Sequence, residues 1–117
     1  MKENVLKEKS RAFAIEVVKI FKELIRDKKE FILSKQLLRS GTSIGANVYE
    51  AEYAESRADF IHKLSIAQKE CNEVLYWVDL LQEGEFLNQS SSQKLSHNGT
   101  EILKILTSII KSTKRNS

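Results

Sequence analysis

Apolar residues recur along the chain at intervals of three and four, and no stretch alternates strictly between apolar and polar positions, so the pattern predicts helices and no strands. Four periodic segments are predicted, at about 4–28, 34–54, 57–83 and 89–113. There is no proline to break them, and there are only four glycines in 117 residues. Ser34 and Ser56 stand at N-cap positions, the second followed by Asp59 in a capping-box-like arrangement, and Gly84 marks the end of the third helix. The connection from Glu83 to Asn88 is short, which makes the third and fourth helices antiparallel neighbours. Asn88 to Gln93 reads either as a loop or as a frayed first turn. The expectation is an all-α protein, a four-helix bundle, forming one domain over residues 1–117.

The first helix holds more apolar surface than one bundle core needs. Phe13, Val17, Ile20 and Leu24 form one seam, and Ala14, Val18, Phe21 and Ile25 form a second beside it. The third helix repeats this: Phe60, Leu64, Ala67, Cys71, Val74 or Leu75, and Val78 make a core seam, while Ile66, Glu70, Glu73, Trp77 and Leu80 make another. A lone bundle buries only one seam of each helix well, so the second ones predict self-association, with Ala14, Val18, Phe21, Ile25, Ile66 and Trp77 at the contact.

Two glutamates within an apolar seam need partners. The second helix offers a polar stripe, Gln36, Arg39, Ser43, Asn47 and Glu50, in which Arg39 is the only arginine. The expected structural network is therefore Arg39, Ser43, Asn47, Glu50, Glu70 and Glu73, with Arg39 paired to Glu70 or Glu73 in a mostly buried site. The same helix contains Ser40-Gly41-Thr42-Ser43-Ile44-Gly45-Ala46. Each internal glycine costs about 1 kcal/mol of helix propensity, so the run makes sense where two helices approach closely. It lacks the Lys-Ser/Thr and the preceding strand of a phosphate-cradling loop.

Net charge is only +3 but is unevenly placed. Residues 1–29 carry nine basic and five acidic side chains, residues 50–87 three and nine. Such a split suits either nucleic-acid binding by the positive elements or complementary packing between subunits. Lys19, Lys22, Arg26 and Lys29 form a basic stripe on the first helix, and Lys104, Lys111 and Arg115 another on the fourth. From these, Lys19, Lys22, Arg26, Lys104 and Lys111 are the candidate nucleic-acid contacts, provided that the stripes converge; otherwise they form a solvated face. Trp77 and the phenylalanines fall on seams and not among the lysines, so no stacking platform for single strands is expected.

Catalytic groupings are sparse. A di-iron bundle requires Glu-x-x-His on two helices, whereas Asp59-x-x-His62 occurs once and His97 lies near a loop. Arg57 and His62 match the spacing of the Arg/His motif of certain helical ribonucleases, a remote alternative. No nucleophile, base and acid come together for hydrolase chemistry. The single cysteine, Cys71, suits a core position, and neither a metal site nor a cofactor is expected. The first residues form no apolar signal region and no apolar run reaches membrane-spanning length, so a cytoplasmic, non-enzymatic protein is expected.

Residues 36–81, QLLRSGTSIGANVYEAEYAESRADFIHKLSIAQKECNEVLYWVDLL, resemble the bacterial four-helix-bundle proteins named after the 23S rRNA intervening sequence, in which some members are encoded. The resemblance is carried by Gln36 to Asn47, by Glu50-Ala51, by Ser56, Asp59 and Phe60, and by Glu73, Tyr76 and Trp77. Arg39, Ser43, Asn47 and Glu50 match signature positions on the second helix; Tyr49 stands where many members have a small residue or glutamate. The resemblance implies an up-down bundle assembled as a homopentamer. It further implies a relationship to accessory proteins of diversity-generating retroelements, whose basic pentamers are thought to bind nucleic acid and reverse transcriptase. RNA or DNA, and a reverse transcriptase or other protein, are the partners this suggests; a scaffold that binds only protein is the alternative.

Overall fold

The computed structural model describes residues 2–116. It contains α1 (Lys2–Arg26), α2 (Leu33–Ala51), α3 (Arg57–Glu83) and α4 (Gln89–Arg115), with no strand among the described residues. Contacts across the helix pairs set the topology. Lys7 meets Glu52 and Val17 meets Gly41; Arg39 meets Glu73 and Glu50 meets Lys63; Leu75 meets Gly99 and Gln68 meets Thr107. Each step forward on one helix is a step back on the next. The result is an antiparallel up-down four-helix bundle, closed by α4 against α1, with principal extents of 48 × 21 × 19 Å.

The seams of the core run down its axis. Phe13, Val17 and Leu24 of α1 face Leu37, Ile44 and Val48 of α2, and α3 and α4 complete the core with Leu64, Cys71, Val78, Leu95 and Leu106. Each fully buried leucine or phenylalanine removed from water contributes about 1.5–3 kcal/mol. The small-residue run of α2 lies against α1. A Cβ at Gly41 would sit 2.8 Å from both methyl groups of Val17, so glycine is what lets the two backbones approach there. Ser40, Thr42 and Ser43 return their hydroxyls to carbonyl groups of their own helix at 2.6–2.8 Å.

Three helix ends differ from expectation. Ser34 is buried inside α2 and does not cap it; Ile32 holds the cap position and provides no side-chain acceptor. The cap comes from Glu30, whose carboxylate accepts from the backbone N–H of Ile32, Leu33 and Ser34 at 2.7–3.3 Å. Lys29, at φ 55°, turns the chain so that Glu30 points back at the helix. At the other end, α2 stops at Ala51, and Glu52, Tyr53 and Ala54 bond three residues back, the tighter turn with which helices often finish. Gly84 does follow α3 but keeps a helical φ of −78°; the left-handed residue is Glu85, at φ 66°. Phe86 then donates to Leu81 and Glu85 to Gln82, which satisfies the last carbonyls. Ser56 caps α3 through a 3.0 Å bond from Asp59 N–H, while Asp59 accepts from Glu55 N–H. Asn88 caps α4, making Gln89 to Gln93 its first turn.

Candidate interaction surfaces

The polar stripe of α2 faces α3 at the edge of the bundle. Arg39 Nη1 donates to both carboxylate oxygens of Glu70 at 3.3 and 3.4 Å, and Nη2 donates to Glu73. Trp77 Nε1 donates to the same Glu73 oxygen at 3.3 Å. The guanidinium side chain is 49% exposed, although Glu70 beneath it is only 13% exposed. The expectation of a mostly buried site is therefore corrected: small residues hold the inner edge of α2, and the long Arg39 side chain reaches both carboxylates from the solvent side. Ser43 and Asn47 bond back to α2, to the carbonyls of Arg39 and Ser43, rather than across to α3. Glu50 pairs with Lys63 at 3.1 Å, a partner outside the expected set.

These contacts also place the second seam of α3. Glu70, Glu73 and Trp77 point at α2 of the same chain, and Trp77 packs on the shared core, with Ile66 half-buried on that flank. The second seam of α1 has a different neighbour. Ala14, Val18, Phe21 and Ile25 are half-buried along the α1–α2 face, at whose far end Phe31 and Ile32 remain 48% and 75% exposed.

The basic residues do not gather on one patch of the protomer. Lys19, Lys22, Arg26, Lys104 and Lys111 are all exposed, and Arg26 is tied to Asp27 at 2.8 Å. Across the α1–α4 groove Lys2 meets Ser108, Lys9 meets Glu101 and Glu16 meets Lys94. On that register Lys104 is level with Leu6, and Lys111 lies beyond the start of α1. The two stripes thus sit ~20–40 Å apart along the bundle at 1.5 Å per residue, toward opposite ends.

No group of three potential metal ligands occurs among the described residues. Arg57 donates to the carbonyl of Asn116 at 2.6 Å, and His62 lies five positions on, around the helix and exposed. Burial, and secondarily the charge of Glu70, pushes the Cys71 thiol up to about 12, so it is not a thiolate near neutrality. A cavity of about 560 Å³ opens at one end of the bundle against Leu6, Val48, Leu64 and Ile109, with Glu3 and Glu52 as its carboxylates. What the sequence did not reveal is an aromatic pair beside cations: Tyr49 and Tyr53 of the α2 end, with rings 5.4 Å apart, lie next to Lys7 and Arg11 of α1.

A family model for the 23S rRNA-intervening sequence protein matches residues 2–108. The chain belongs to that family. A solved structure of a protein of unknown function from the S23 ribosomal protein family of Bacteroides thetaiotaomicron is 54% identical. It covers 95% of this chain and 99% of its own, with a TM-score of 0.94. No curated protein matches the chain. The stretch Gln36 to Leu81 that carries the resemblance builds α2, its loop and most of α3, so the signature positions of this 23S rRNA-intervening sequence family member include the Arg39 pairings and the Ser56 cap. No helix among the described residues is long and apolar enough to cross a membrane.

Proposed function

We propose that the chain is a non-enzymatic cytoplasmic bundle that self-associates as a homopentamer and binds nucleic acid through the phosphate backbone. The observation that supports self-association is an apolar row on the α1–α2 face: Val18, Phe21 and Ile25 run along it, half-buried, and Phe31 and Ile32 stand in water at its end. Exposed apolar groups in a row favour burial against another copy. The number five comes from the family resemblance. Nucleic-acid binding rests on the exposed cations Lys19, Lys22, Arg26, Lys104 and Lys111; a ring of protomers repeats each stripe and turns two small patches into bands of charge, which raises avidity without new contacts. Binding of this kind is sequence-tolerant and falls steeply with salt, because each neutralised phosphate releases counterions.

The separation of the two stripes within a protomer, and the Arg26–Asp27 pair, favour a second reading, a protein-binding scaffold whose lysines keep its outer face hydrated. A reverse transcriptase is the protein partner that the resemblance adds. Mobility-shift titration of the wild type and of a Lys19→Glu/Lys22→Glu/Arg26→Glu variant against RNA and DNA at low salt separates the two. Wild-type binding that the variant loses supports the first reading; no binding by the wild type leaves the scaffold.

A further inference from the structure

The α1–α2 face changes character along its length. Toward Ile25 it presents Val18, Phe21 and Ile25, whereas toward Lys7 it sets two cations beside two tyrosines. Lys7, Arg11 and Tyr49 stand around a slot of about 190 Å³ whose floor includes Ala14, Gly45 and Ala46. No floor side chain among those three extends beyond a methyl group, so the Tyr49 ring rises clear of it, 57% exposed. Tyr53, 68% exposed, flanks it with the ring planes inclined at 56°, so the two rings are not stacked face to face. Lys7 is tied to Glu52 at 3.0 Å, but Arg11 makes no ion pair among the described residues.

This combination fits one chemistry. An open aromatic face gains by stacking on a flat apolar ring, and an unpaired guanidinium beside it attracts an anion on the same molecule. A nucleotide supplies both. A cavity of about 150 Å³ admits a benzene ring, so one base is within the size of the slot. Bases offer their faces only where they are unstacked, which selects single strands over duplexes.

We propose that the slot is a stacking site for single-stranded nucleic acid: Tyr49 takes a base on its ring, Tyr53 flanks it, and Arg11 pairs with the adjoining phosphate. The proposal rests on the nucleic-acid reading above and adds a residue-level site that the basic stripes alone do not supply.

Fluorescence anisotropy of labelled dT20 and U20, with a duplex of mixed sequence as comparison, tests it at low salt. Tyr49→Ala is expected to weaken single-strand binding about tenfold, while Tyr49→Phe, which keeps the ring, stays within about twofold. Arg11→Gln is expected to flatten the salt slope by about 0.7. Light scattering on Tyr49→Ala should give the wild-type mass. If the wild type binds and Tyr49→Ala binds equally well, the slot is refuted and nucleic-acid binding stands. If the wild type binds the duplex alone, the slot is refuted and nucleic-acid binding stands; if it binds none of the three, both fall. If Tyr49→Ala instead changes the mass, the slot is a contact between copies, and the proposal is overturned.

Discussion

Replacing Glu30 by alanine removes the acceptor that three backbone amides at the start of α2 share. Loss of an ordinary N-cap costs about 0.5–2 kcal/mol, and loss of a charge at a helix N-terminus adds about 0.3–1 kcal/mol. Glu30 is 8% exposed and bonds the buried Ser34 N–H at 2.7 Å, so the upper part of that range applies and Glu30→Ala is expected to cost about 2–3 kcal/mol. Urea titration at fixed protein concentration, which holds any association constant, reads this directly. The pH dependence gives a second check. Burial alone pushes the Glu30 carboxyl up, but the N–H groups of Ser34, Leu33 and Ile32 outweigh it and hold it below its ordinary value of 4.5. A depressed folded pKa contributes stability that is present in full above the unfolded value and is lost as pH falls through the folded one. The gap between wild type and Glu30→Gln should therefore be constant near neutrality and shrink only below about pH 4.5. A Glu30→Ala cost under about 0.5 kcal/mol, or a gap that does not shrink in acid, would refute the carboxylate cap.

Other perturbations follow from the same geometry. Arg39→Ala should cost only about 1 kcal/mol or less in urea titration, because the guanidinium is half in water, and a loss of about 3–5 kcal/mol would show that the pair is buried in the assembly. Gly41→Ala should destabilise by about 1–3 kcal/mol, since the new Cβ meets Val17, with a lower thermal midpoint as the readout. Glu85→Gly should raise stability, by about 1 kcal/mol from relief of the left-handed backbone, less the added chain entropy of glycine. An unchanged or lower midpoint there would count against the strain.

The helices and their core faces were legible because burial imposes a 3.6-residue period, which Phe13, Val17 and Leu24, or Leu64, Cys71 and Val78, display without help from distant contacts. The partners of Arg39 were legible too, from two stripes at matching spacing on adjacent helices. Its exposure was not, since a long side chain reaches the same carboxylates from inside the groove or from its rim. The Glu30 cap was hidden because it acts from before the helix, through a left-handed lysine, and leaves no cap residue at the usual position. The Tyr49 slot was hidden for a different reason. Arg11 and Tyr49 lie far apart in the chain, and only the register of α1 on α2 brings them together. The same kind of register, between α1 and α4, sends Lys104 and Lys111 away from Lys22 and Arg26.

Self-association through the apolar row Val18, Phe21 and Ile25 of the α1–α2 face is the claim on which the proposed function turns. Multi-angle light scattering of the purified chain at tens of micromolar tests it most directly. The account predicts a single species near five times the 13.4 kDa chain mass; a species at 13.4 kDa would contradict it.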